Sequence, residues 1–127
     1  MSMKILLPGA LSIAALLATG PAIAHGLTKP QHGGIVAMSG ETLFELVAKP
    51  GSTQLYVIDD DEPVTATAMT AKLTVNVAGQ TRNIDLKPAA GNRFDGPALG
   101  VKPGAKVGVM VVDKTSQAHL GGTFIIK

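Results

Sequence analysis

The chain has 127 residues, 11 Lys and Arg against nine Asp and Glu, and no cysteine. The missing thiols exclude disulfides, thiolate metal centres, cysteine nucleophiles and a lipid anchor on cysteine. Charge is close to balanced, and aromatics make up only 3% of the residues with no basic stripe among them, which argues against a nucleic-acid partner.

The first 24 residues carry the three parts of a secretory signal peptide in order. Lys4 gives a positive start, residues 5–18 form an apolar run, and Ala22-Ile23-Ala24 offers small side chains where a signal peptidase reads. The run is shorter than the roughly 20 apolar residues that a membrane-spanning helix needs. The pattern predicts cleavage after Ala24 and export to the periplasm. Residues 25–127 then make one domain that begins at His25. With Lys4 removed, ten basic residues face nine acidic ones, so the domain is near neutral.

Beyond the segment 25–31 the hydrophobic period is two. Strands are expected at 34–38, 42–48, 54–59, 71–78, 81–87, 106–113 and 122–126, with a short one near 92–94. Leu73, Val75 and Val77 alternate with Lys72, Thr74 and Asn76, the signature of a strand with one wet face. Val107, Val109 and Val111 repeat it, while Met110 and Val112 make the opposite face apolar and suggest a central strand. Ser39-Gly40, Pro50-Gly51-Ser52 and Gly79-Gln80 supply turn chemistry, and the stretch 63–71 fits an edge segment. Short strands punctuated by turns predict an all-β, antiparallel β-sandwich of about seven strands. Its core is expected to include Leu43 or Phe44, Leu46, Leu55, Val57, Leu73, Val75, Ile84, Leu86, Val109, Val111, Phe124 and Ile126.

Three histidines are the candidate metal ligands: His25, His32 and His119. Cleavage after Ala24 gives His25 a free α-amine beside its imidazole, and the two nitrogens chelate one ion. A second imidazole would complete a three-nitrogen site of the kind that suits Cu(II). His32 precedes Gly33-Gly34, and two glycines beside a histidine let another backbone or a ligand come close. His119 stands at the start of the last strand. It approaches His32 if the first and last strands lie together in the right sense. Glu45 or nearby backbone would support the ligands. The bland reading of each is an incidental surface histidine.

Met38, Met69 and Met110 have thioethers that suit Cu(I), against their commoner use as core filler. Asp59-Asp60-Asp61-Glu62 lacks the spacing of a calcium loop and reads as an acidic turn at a strand end. No nucleophile elbow, phosphate-cradling loop or zinc-protease motif is present, so the expectation is a protein that is not an enzyme.

The order His32-Gly33-Gly34, Glu45-Leu46-Val47, then Tyr56-Val57-Ile58-Asp59 resembles small exported proteins encoded with heavy-metal efflux and copper-tolerance systems. An N-terminal histidine on a β-sandwich of this size is similar to the CopC-like periplasmic copper-binding proteins. These resemblances imply a periplasmic domain that binds or buffers copper and passes it to a membrane or efflux partner. His32 carries over from the first and His25 from the second. The chain departs from the CopC-like pattern at its C-terminal end, where Ala118 and Leu120 flank His119 and no Asp-x-His motif stands. A second reading is a metal-free interaction module whose strand edges, near 34–38 or 63–71, add to a partner's sheet. A third is a relative of the copper mono-oxygenases, which share the terminal histidine.

Overall fold

The computed structural model describes residues 28–127. The leader and His25 lie outside the described residues. The strands are β1 (Ile35–Ser39), β2 (Thr42–Ala48), β3 (Ser52–Asp59), β4 (Glu62–Pro63), β5 (Met69–Val77), β6 (Gln80–Pro88), β7 (Arg93–Pro97), β8 (Lys106–Asp113) and β9 (His119–Ile125). A single 3-10 turn, Ala66–Ala68, precedes β5.

All pairings are antiparallel, and the spatial order is β1-β2-β3-β7-β6-β5-β8-β9, with β4 paired to β3. Strands β5, β6 and β7 follow one another across the sheet, and β8 returns to lie beside β5. This is a Greek key. Two layers result, joined where Lys87 and Pro88 of β6 meet Asp95 and Phe94 of β7. The expected all-β antiparallel architecture is present, as one continuous sheet folded over and nearly closed, because β9 lies against β1. No hydrogen-bond ladder joins those two strands among the described residues.

The core between the layers holds Phe44, Leu46, Leu55, Val57, Leu73, Val75, Ile84, Leu86, Phe94, Val107, Val109, Val111 and Phe124. Alternation puts these on the inner face because side chains one residue apart point to opposite sides of a strand. Leu43 is also buried, but it shares the outward phase of Glu45 and stands outside that cluster. Ile126, expected inside, only packs against the core from beyond the end of β9. Three further expectations change. Met69 to Ala71 begin β5, which lies between β6 and β8, so this part of the stretch 63–71 is no edge. Strand β8 is central in its pairing, yet its outer face is open, with Met110 42% exposed.

The third change is at the β5–β6 hairpin. Val77 pairs with Gln80, so the two central residues are Ala78 and Gly79, one position earlier than the expected pair. Both have positive φ, 53° and 79°. That is the primed geometry that matches the twist of the flanking strands. Glycine adopts it freely, whereas a Cβ at a left-handed position costs about 1–2 kcal/mol. Replacing Ala78 with Asn, which tolerates this region, is expected to raise unfolding stability by about 0.5–1 kcal/mol in a urea titration.

Candidate functional site

The run Leu43-Phe44-Glu45-Leu46-Val47 places one acid in the middle of an apolar strand. Phe44 and Leu46 face the core, so Glu45 must face outward. It is nevertheless only 1% exposed, because the segment ahead of β1 folds over it. Oε1 accepts from the Gln31 N–H at 2.9 Å and from His32 Nδ1 at 2.9 Å. Oε2 accepts from the His32 N–H at 2.7 Å and the Gly34 N–H at 2.9 Å. Both oxygens are thereby satisfied twice, and every donor comes from residues 31–34.

The two glycines make this wrap possible. Gly33 takes a φ of +75°, the left-handed turn that lets the chain aim successive N–H groups at one carboxylate. Gly34 passes so close to β2 that a Cβ there would stand 2.4 Å from the carbonyl oxygen of Leu46. The sequence expectation of a close backbone approach beside His32 is met, and the approaching strand is β2.

Burial works to raise the Glu45 pKa. The His32 ring and the N–H groups of Gly34, Gln31 and His32 outweigh it, and the carboxyl is held below its ordinary value. An ionised carboxylate only accepts hydrogen bonds, so Nδ1 of His32 carries the proton. In the neutral ring, Nε2 then bears the lone pair. His32 stacks on Tyr56 with ring centroids 3.6 Å apart and planes 5° from parallel. Its side chain stays 42% exposed. One ring edge is tied to Glu45 and one face to Tyr56, and Nε2 has no partner among the described residues. This is the arrangement by which a buried acid fixes a histidine in one tautomer and one orientation.

Tyr56 stands opposite Glu45 on β3 and opposite Arg93 across β7. Its hydroxyl donates to Gln54 Oε1 at 3.2 Å, and Arg93 donates to Asp95 at 2.9 Å. Sequence reasoning named Glu45 as a support but missed Tyr56 as the stacking platform. The usable signal was phase, since Tyr56 alternates with the inward Leu55 and Val57.

His119 is not brought to His32. Gly122 faces Ala37, while Ile126 and Lys127 line the same shallow hollow as Gly33 and Gly34, so β9 runs antiparallel to β1. His119 opens β9, opposite Val112, and is therefore roughly 20 Å of strand away from that end. The first and last strands do meet, in the sense that separates the two imidazoles. The acidic run 59–62 forms the β3–β4 turn, with Asp60 and Asp61 at φ 51° and 62°. Thr42 Oγ1 donates to Asp59 Oδ1 at 2.8 Å. Among the described residues no three His, Cys, Asp or Glu side chains gather around one point, and no helix is long and apolar enough to cross a membrane.

Comparison with family models, curated proteins and solved structures returned no match. The resemblance to exported metal-tolerance proteins rests on the short motifs alone.

Two predictions test the wrap. Glu45→Gln puts an NH2 group against N–H donors and is expected to destabilise the fold by about 3 kcal/mol in denaturant unfolding. Because the folded pKa of Glu45 is depressed, its contribution is complete above the unfolded value of about 4.3. It is lost as pH falls through the folded value. A plot of stability against pH is expected to slope downward in that acid window for the wild type and to be shallower there for Glu45→Gln. Separately, Gly34→Ala is expected to cost about 1–3 kcal/mol in the same assay, since the new methyl meets backbone.

Proposed function

We propose that this is a periplasmic metal-binding protein, with Cu(II) the favoured ion, that buffers or delivers metal to a membrane partner as part of metal homeostasis. The supporting observation is the orientation of His32. A buried carboxylate that accepts four hydrogen bonds from residues 31–34 holds the ring by Nδ1 and leaves Nε2 without a partner among the described residues, on a side chain that is 42% exposed. Freezing a surface histidine in one tautomer has an evident use if Nε2 must accept an ion.

His32 supplies one nitrogen, and one imidazole is too little for a tight site. The remaining donors on this reading are the α-amine and imidazole of His25, exposed by cleavage after Ala24. Six residues lie between the two histidines, enough chain to turn back on itself. Amine and two imidazoles then give the tetragonal nitrogen set that Cu(II) favours. His119 is no ligand of this ion, being at the far end of β9.

The test uses protein recovered after export, with its N-terminus read by intact mass. One Cu(II) per chain is expected, with nitrogen couplings in the electron paramagnetic resonance spectrum. His32→Ala is expected to weaken binding at least 100-fold while leaving the fold intact, because Glu45 keeps its three N–H donors. A Gly-Ser extension ahead of His25 is expected to do the same, and His119→Ala to change nothing. Cu(II) affinity that is equal in the wild type and His32→Ala would overturn the reading.

A further inference from the structure

The folded sheet splits between β6 and β7. On one side β6 pairs with β5 from Gln80 to Leu86. On the other side only Lys87 and Pro88 meet β7. The unladdered edges of β1 and β9 at least face each other, whereas Gln80 to Asp85 face no strand on that side among the described residues. A row of unpaired backbone groups is a template for another strand.

Two observations fix which groups are open. The hairpin closes on Val77 and Gln80, so Gln80, Arg82, Ile84 and Leu86 spend their N–H and C=O groups on β5. Lys87, in the alternate phase, meets Asp95 of β7. Thr81, Asn83 and Asp85 therefore turn their backbone groups to the open side. Beneath this edge the core is uncovered. Val77 is in phase with the buried Leu73 and Val75, yet it is 46% exposed. A hollow of about 610 Å³ lies beside it, lined by Ala78, Thr81, Arg82 and Leu99 among others. Lys102 stands on the other flank of Val77. Arg82 gives one N–H to the Leu99 carbonyl at 2.6 Å. Neither Arg82 nor Lys102 has an acidic partner among the described residues.

We propose that the open edge of β6 takes an extended segment of a partner protein as an added strand, with an acid opposite Arg82 and an apolar residue two positions along, in the hollow beside Val77. Backbone groups of Thr81, Asn83 and Asp85 give such a strand affinity, and the side chains beneath it give selection. Arg82 shares the inward phase of Ile84 and Leu86, so residues opposite Arg82 and Gln80 lie on the side of the hollow. An inward charge blunts a free edge against neutral and basic strands. An acid opposite it turns that cost into an ion pair, which makes the edge selective. A second copy fits badly. Antiparallel pairing of β6 with itself either sets Arg82 against Arg82 or slides the hairpin tip into the place that Asp95 holds beside Lys87. The surface involves neither His32 nor a metal ion.

The experiment titrates the isotope-labelled full chain with the peptide acetyl-Thr-Val-Thr-Glu-Thr-Val-Thr-amide, whose valines and glutamate share one face of a strand, and follows backbone amides by NMR. The Thr81, Asn83 and Asp85 amides are expected to shift and to exchange more slowly at millimolar peptide. Lysine in place of the peptide's glutamate is expected to weaken binding about 10-fold. Methylating alternate peptide nitrogens on the edge-facing side is expected to weaken it at least as much. Asn83→Pro removes one outward N–H while leaving the ladder to β5 whole, and is expected to weaken binding about 10-fold. Unmoved Thr81, Asn83 and Asp85 signals in the wild type would overturn the proposal, and so would equal binding of the lysine peptide or the methylated one. Sedimentation is expected to find a monomer, and a dimer that Asn83→Pro dissolves would give the edge to a second copy and overturn it too. The wild-type signals decide the matter even if the variant fails to fold.

Discussion

The structure depends on one buried charge. Removing a carboxylate from water costs several kcal/mol unless its lone pairs are filled, and Glu45 has all four acceptor positions occupied. Every donor belongs to one short piece of chain, so the same contacts that solvate the acid also fix residues 31–34 against β2. The segment is held by hydrogen bonds to an anion rather than by an apolar contact. Its geometry is correspondingly strict, because a carboxylate offers few directions from which an N–H can approach.

That constraint explains why β2 is buried on both faces for different reasons. Its inner face, Phe44 and Leu46, joins the core of the nearly closed sheet. Its outer face is sealed at Glu45 by the incoming chain, and the neighbouring Tyr56 supplies a flat surface for the His32 ring. Glycine is required twice at this point, once for a left-handed turn and once because no side chain fits between the incoming strand and β2. The polar cluster and the core are thus two sides of one strand, and the register of β2 with β3 determines both.

Much of the sheet was legible in the sequence because alternation is strong where one face is wet. Strands β5, β6 and β8 were visible from Leu73-Val75, Ile84-Leu86 and Val107-Val109-Val111. Alternation failed in β2, where Leu43, Phe44, Leu46 and Val47 are consecutive but for one acid, so Leu43 and Phe44 were indistinguishable as core. That acid was itself the informative residue, since a charge inside an apolar strand has to be paired. Partner identity was out of reach, because the wrap brings together positions 31–34, 45 and 56 through turns and strand register. The direction of β9 against β1 was equally invisible. It follows from the number of strands around the sheet, and a local pattern carries no such count.

That direction has a chemical consequence. Antiparallel first and last strands put His32 and His119 at opposite ends of the seam, so neither can complete the other's coordination. Near His32 there is a carboxylate that fixes the tautomer of the imidazole, and on the proposed reading the amine and imidazole of His25 complete a set made of nitrogen. The ring of His32 is held on one edge by Glu45 and on one face by Tyr56, which on the proposed reading lowers the ordering cost of binding an ion.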